Sequence, residues 1–248
     1  MPLQCAGFKG GCVIITLRMK QLAAVAEGLA LIFDLDGVIV DTNPVHTETW
    51  QRYLKQNGIR ANADLPERMF GKRNDDLVRD LFGPGLSPEE IVEHGAAKER
   101  LFREIMAGQL KDRMVPGVAA FLEEHKDIPI ALASNAEPAN VEFMLNGAGI
   151  RHFFRVVVDG EQVERPKPAA DIFLRAAQLL NVNPENCIVF EDSRTGVDAG
   201  LAAGCRVVGL LTTHDSLLGA SLEIDSFLSP KLEPWLRKQI PVSCNFQG

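Results

Sequence analysis

Asp34 and Asp36 are two carboxylates two residues apart, standing where an apolar run, Leu29-Ala30-Leu31-Ile32-Phe33, stops. At a strand end such a pair can share a divalent cation, Asp34 through its side chain and Asp36 through a backbone oxygen. Gly37 then permits the tight turn that leaves the site. Hard oxygen ligands around an octahedral ion favour Mg²⁺. Two further apolar runs also end in polar residues: Ser134-Asn135 follows one and Glu191-Asp192 another, while Lys167 stands in a Pro-Lys-Pro turn ahead of a helical pattern. Taken singly, each has a plainer reading, as a turn cap, a strand end or a surface lysine. Together they describe one acidic pocket with a single balancing cation.

The elements that must position these residues are legible as periodicity. Continuous apolar runs at Leu29–Phe33, Ile128–Ala133, Arg155–Val158, Cys187–Phe190 and Arg206–Leu210 suit strands buried on both faces. Helical patterns lie between the later runs, at Gly117–His125, Pro138–Asn146, Ala169–Leu180 and Thr195–Ala203. Alternating strand and helix predict an α/β fold, a doubly wound, mostly parallel Rossmann-like sheet, with an edge strand near Leu222–Ile224. Strand C-termini in such a sheet share one edge, where ligands bind, so the four polar sites are expected to converge. The first helical stretch differs, since residues 44–113 carry no strand-like run. Ser87-Pro88-Glu89-Glu90 reads as a capping box with proline at the first helical position, and Asn74 as another N-cap. A small all-helical cap over 44–113 is therefore expected, inserted after the first strand into a core of 19–43 and 114–248, with Met1–Arg18 outside the core.

Composition limits the partners. The chain has 248 residues, 46% hydrophobic and 24% charged, enough for a sizeable core. A formal net charge of −7 argues against a nucleic-acid phosphate backbone, though not against a small anion in a pocket with a local lysine and a metal. The apolar stretch Cys12–Leu17 is too short to span a membrane or form a signal core. Five scattered cysteines show neither metal-ligand spacing nor a disulfide framework, which fits a reducing cytoplasm, with Cys187 and Cys205 as buried small hydrophobes. Aromatic content of 6% is compatible with a monomer.

Phe33-Asp34-Leu35-Asp36-Gly37-Val38-Ile39-Val40-Asp41-Thr42 resembles the first motif of the haloacid dehalogenase-like hydrolase superfamily. Ser134-Asn135 looks like its second motif, Lys167 its third and Glu191-Asp192 its fourth. The stretch Phe190–Gly204 resembles the branch that contains phosphoglycolate phosphatases and β-phosphoglucomutases. The resemblance implies an Mg²⁺-dependent phosphatase in which Asp34 attacks phosphorus and forms an aspartyl-phosphate. Asp36 would protonate the leaving oxygen and then activate water. It is absent from the superfamily's dehalogenases, so its presence points to phosphate esters. Ser134 and Asn135 would hold phosphoryl oxygens, and Lys167 would balance the charge of nucleophile and phosphate. Glu191 and Asp192 would complete the metal shell with Asp34 and Asp36, Glu191 either as a direct ligand or behind one. Arg165-Pro166 departs from the glycine that most relatives place before the lysine.

Substrate choice belongs to the cap. Thr42 would sit in the hinge beside Asp36. His46 and Trp50 lie one helical turn apart and are expected to face the crevice together, the plainer reading of His46 being a helix-surface histidine. His46 also matches a histidine of β-phosphoglucomutases. The mutase branch carries a cap arginine that grips the distant phosphate; here Asn74 stands in its place, after Lys72 and Arg73. Lys72, Arg73 and Lys98 are either a different anion patch or solvated surface charges. The expected substrate is a small phosphorylated metabolite, a sugar or an acid such as phosphoglycolate. A sugar-phosphate mutase is the alternative outcome. A non-catalytic binding module is the remaining one, and the filled catalytic positions speak against it.

Overall fold

A computed structural model describes residues 28–69 and 74–239 of the chain. The expectations placed on Met1–Arg18, Lys72 and Arg73 lie outside the described residues. Six strands form one sheet: β1 (Ala30–Phe33), β2 (Ile130–Ala133), β3 (Val156–Val158), β4 (Cys187–Glu191), β5 (Arg206–Leu210) and β6 (Leu222–Ile224). Their order is β3-β2-β1-β4-β5-β6 and every pairing is parallel. The predicted α/β sheet is thus the observed one, with the edge strand at the expected residues.

Strands paired on both sides bury both faces, and the period of two divides them. Leu31, Phe33, Ile130, Leu132, Ile188 and Phe190 enter one core cluster. Ala30, Ile32, Ala131, Ala133, Cys187 and Val189 enter another on the opposite face. In the first cluster Phe33 stacks on Phe190, with ring centroids 4.6 Å apart. In the second lie Cys187 and Cys205, both buried, as read from the sequence.

Between β1 and β2 the chain forms α1 (Asn43–Gln56), α2 (Leu65–Met69), α3 (Asn74–Phe82), α4 (Pro88–Ala107) and α5 (Val118–Glu124). The first four have a core of their own around Trp50, Tyr53, Leu54, Leu65, Leu77, Val78 and Ile91. At the start of α4 the Ser87 hydroxyl accepts from the Glu90 amide at 3.2 Å, and the Glu90 carboxylate accepts from the Ser87 amide at 2.8 Å. Asn74 behaves differently from the expected cap: it is already helical, and its side-chain amide donates to Glu99. The buried Glu99 carboxylate is a charged acceptor for the asparagine's Nδ2 protons, and that bond sets the direction of the side chain. The two chain passages joining this helical segment to the sheet lie side by side. Val40 bridges Met114, the Asp41 amide donates to Arg113 O at 2.8 Å, and the Val115 amide to Ile39 O at 3.0 Å. The remaining helices, α6 (Pro138–Gly147), α7 (Asp171–Leu180), α8 (Arg194–Ala202) and α9 (Leu232–Gln239), connect or follow the later strands.

Candidate active site

The chain turns from β1 to β2 and β3 on one side and to β4, β5 and β6 on the other, which leaves a crevice at the C-terminal ends of β1 and β4. Phe33 pairs with Phe190 across that seam, and the Asp34 amide donates to Phe190 O at 3.0 Å. Register therefore sets Asp34 beside Glu191. Lys167, 133 residues away from Asp34 in sequence, completes a buried triangle. Its ammonium donates to Asp34 Oδ1 at 2.5 Å, Glu191 Oε1 at 2.6 Å and Ala133 O at 3.0 Å, which uses all three of its protons. The ammonium also lies 4.9 Å from the Phe173 ring centroid. Burial alone would pull the Lys167 pKa down; the charges of Asp34 and Glu191 outweigh it and hold the group protonated. The peptide between Lys167 and Pro168 is cis.

Glu191 is held on every side. Its Oε2 accepts from the Asp192 amide at 3.0 Å, the Ser193 amide at 3.2 Å and the Ser193 hydroxyl at 3.0 Å. A Cβ on Gly196 would fall 1.9 Å from its Cδ, so only glycine admits the carboxylate here. Asp192 is confined in the same way. Gly37 adopts φ +71°, and a Cβ there would lie 1.9 Å from Asp192 Oδ2.

Asp34, Glu191 and Asp192 are buried and bring carboxylate oxygens within 4.8 Å of one another. Burial pushes Asp34 up to about 7, against the pull of Lys167 and with the help of Glu191 and Asp36. Burial, then Glu191 and Asp34, push Asp192 well above its ordinary value. Three buried carboxylates facing one ammonium form a site short of positive charge. Hard oxygens arranged this way fit a divalent cation.

Asp36 has separate partners. Thr42 Oγ1 donates to its Oδ1 at 2.6 Å, and His46 Nε2 lies 3.7 Å from the same oxygen. Burial acts to raise Asp36, but His46 and Thr42 more than offset it and keep the group below its usual pKa. The other ring nitrogen, His46 Nδ1, lies 2.8 Å from Lys98 Nζ. An ammonium can only donate, so Nδ1 accepts, which leaves the Nε2 proton facing Asp36. His46 also stacks on Phe102 at 4.0 Å between ring centroids.

Lys98 is neither a solvated charge nor a member of an open patch. It is 1% exposed and donates to Glu99 Oε1 at 2.8 Å, and its ammonium sits 5.4 Å from the Trp50 ring centroid. Glu99 also accepts from Asn74 and, at 2.6 Å, from Asn140 on α6. Arg103 donates to Asn140 Oδ1 at 2.6 Å and to Glu137. This polar network joins the helical segment to the sheet domain. Trp50, expected at the crevice with His46, packs instead into the helical segment's core at 1% exposure. Nothing in the spacing of the sequence pointed to Glu99 or Asn140.

Ser134 and Asn135 follow β2 as predicted. The Ser134 hydroxyl accepts from the Ala136 amide at 3.1 Å and keeps its own proton to donate. Asn135 Oδ1 accepts the Lys167 amide at 3.3 Å, so this side chain steadies the lysine loop. Ser193, Thr213 and Asn43 were missed. Thr213 lies three residues past β5, behind Leu211 and Thr212, whereas Ser134 directly follows β2, so the rule of polar residues after apolar strands reaches it only as the second of a threonine pair.

Residues 29–204 match the haloacid dehalogenase-like hydrolase family. The fructose-1-phosphate phosphatase YqaB of Escherichia coli is 33% identical over 180 residues, covering 72% of this chain and 94% of that protein. The β-phosphoglucomutase of Bacillus subtilis is 32% identical over 227 residues, covering 86% and 99%. The crystal structure of β-phosphoglucomutase from Clostridium difficile superposes with a TM-score of 0.74 at 29% identity, covering 86% of this chain and 97% of that one. Among the described residues no helix is long and apolar enough to cross a membrane. With its six-stranded parallel sheet and Asp34 at the seam of that sheet, the chain belongs to the haloacid dehalogenase-like hydrolases, in the branch of the β-phosphoglucomutases and sugar-phosphate phosphatases.

Proposed function

We propose that the chain is an Mg²⁺-dependent phosphatase that hydrolyses small phosphate monoesters, phosphorylated sugars or acids, through an aspartyl-phosphate on Asp34. The contact between Lys167 Nζ and Asp34 Oδ1 carries the reading, because it anchors one oxygen of Asp34 against a buried ammonium. The other oxygen is then the nucleophile. Asp36, oriented by Thr42 and His46, stands as a separate acid–base group: once protonated it would give that proton to the leaving oxygen, and as the carboxylate it would then take one from water. Lys167 and the Ser134 hydroxyl offset charge on the transferring group. Asp34, Asp192 and the Asp36 backbone oxygen would hold Mg²⁺, which supplies charge neutralisation for phosphate and nucleophile. Glu191, saturated by Lys167, Ser193 and the Asp192 amide, acts behind them. Residues 44–113 act as the cap that closes over the crevice and excludes water.

Hydrolysis is favoured over mutation of a sugar phosphate because Lys98 is neutralised by Glu99 and Asn74 is turned to the same carboxylate. Neither is then free to grip a second phosphate. The mutase reading keeps one specific support, the match to β-phosphoglucomutases over nearly their whole length. A panel of sugar phosphates and phosphoglycolate, assayed for released phosphate and for isomer, separates the two. Stoichiometric phosphate release is expected; conversion of a β-phosphohexose to its isomer with negligible release would establish the mutase. Asp34→Asn is expected to lower turnover of p-nitrophenyl phosphate with Mg²⁺ by about a thousandfold or more, and equal activity would remove Asp34 from its role.

A further inference from the structure

Asp192 receives hydrogen bonds from two elements that have no catalytic part of their own. Asn43, the first residue of α1, donates through Nδ2 to Thr213 Oγ1 at 2.6 Å, and the Thr213 hydroxyl donates onward to Asp192 Oδ2. The second Asn43 amide proton points at the same carboxylate oxygen from 3.4 Å. The sequence separations are 170 residues from Asn43 to Thr213 and 149 from Asn43 to Asp192, so the helical segment, the loop after β5 and the loop after β4 meet at one atom. Among the described residues no hydrogen bond goes to the other oxygen of Asp192. Gly37 closes the remaining side of Oδ2, and Thr212 Oγ1 fastens the Thr213 loop to Gly37 O at 2.6 Å.

The preceding residue completes the arrangement. Thr42 donates to Asp36 while Asn43 reaches toward Asp192, so two consecutive residues at the root of α1 reach both sides of the crevice. An α1 that tilts away from the sheet must draw the Asn43 amide out of this chain of bonds. Thr213 would then be free to rotate, and Asp192 would lose the constraint that aims its second oxygen.

We infer that Asn43 and Thr213 are positioning residues for Asp192, and that through them cation binding and the orientation of the helical segment are thermodynamically linked. The inference rests on the cation assignment made under the proposed function. Outer hydrogen-bond partners of a metal-binding carboxylate fix its orientation, and their loss costs about 10–100-fold in metal affinity. Linkage is reciprocal, so a cation that prefers the aimed carboxylate also favours the seated α1.

The test is calorimetric titration of the full chain with Mg²⁺ alone. Asn43→Ala and Thr213→Val are each expected to raise the Kd about tenfold. The double variant should be little worse than either single one, because both break the same chain. Thr213→Ser, which keeps the hydroxyl, should return to the wild-type Kd, and it also guards against a variant that merely folds badly. In hydrogen exchange, Mg²⁺ should slow the amides of Asp41, Thr42, Asn43, Val45 and His46 in the wild type and leave them unchanged in Thr213→Val. If Asp192→Asn abolishes binding while Asn43→Ala and Thr213→Val bind as the wild type does, the positioning role is overturned and the cation site stands. If the wild type binds no Mg²⁺, the cation assignment falls and this inference with it.

Discussion

At the scale of single residues the site is a problem of charge in little space. Lys167 satisfies Asp34, Glu191 and a backbone carbonyl at once, and Glu191 is in turn fixed by Ser193 and by the amide of Asp192. Gly196 is the residue that makes this possible, since any side chain there would occupy the space of the Glu191 carboxylate. Gly196→Ala must therefore push Glu191 away and pull Lys167 with it. A displacement near 1 Å in a site like this costs about a hundredfold in rate, and the overpacking about 1–3 kcal/mol in stability. Steady-state kinetics and a denaturant titration on the same preparation check both. A variant with wild-type kcat would show that Glu191 has room the structure does not indicate.

Helices and strands act at the next scale through the network that ties α3 and α4 to α6. Glu99 is its centre, a buried carboxylate that burial would raise but that Lys98, His46 and the Asn140 hydrogen bond lower to about 2, against an ordinary value of 4.5. A folded pKa below the unfolded one contributes stability that is fully present above about pH 4.5. That contribution fades as pH falls toward about 2. Replacing the carboxylate strands the Lys98 ammonium in a buried place, which costs about 3–5 kcal/mol. Glu99→Gln should consequently melt well below the wild type at neutral pH. The gap between the two melting temperatures should narrow as pH falls from about 4.5 to 2. A gap that stays constant across that window would remove Glu99 as the group that titrates. From the sequence Lys98 reads as a solvated charge or a member of an anion patch, because spacing along a helix does not show that the next residue is a buried acid held by an asparagine 41 positions further on.

At the scale of the whole molecule, one sheet carries two cores on its faces and a third lies inside the helical segment. The proposed cation site draws on the ends of β1 and β4, and its residues are brought together only in the folded chain. Mg²⁺ should accordingly raise the melting temperature, by about 2.7 kcal/mol of stabilisation at a hundred times its Kd. For a chain of this size that corresponds to roughly 5–10 °C. Scanning calorimetry with and without Mg²⁺, repeated on Asp192→Asn, checks this. A rise of equal size in Asp192→Asn would place the cation elsewhere.

The strand ends and their polar residues were determined by the sequence alone. A strand buried on both faces must be continuously apolar, and a parallel sheet must bring its C-terminal ends to one edge. Asp34, Asp36, Ser134, Glu191 and Asp192 were legible for that reason, Lys167 from its Pro-Lys-Pro turn and the family resemblance, and residues 44–113 from their helical texture. Only the tertiary structure decided how the charges pair: Glu191 with Lys167, Lys98 with Glu99, Asp192 with Thr213 and Asn43. Periodicity reports what a residue's neighbours along the chain require. A buried hydrogen bond between residues 149 positions apart leaves no periodic trace, because its geometry exists only after the sheet has closed the distance.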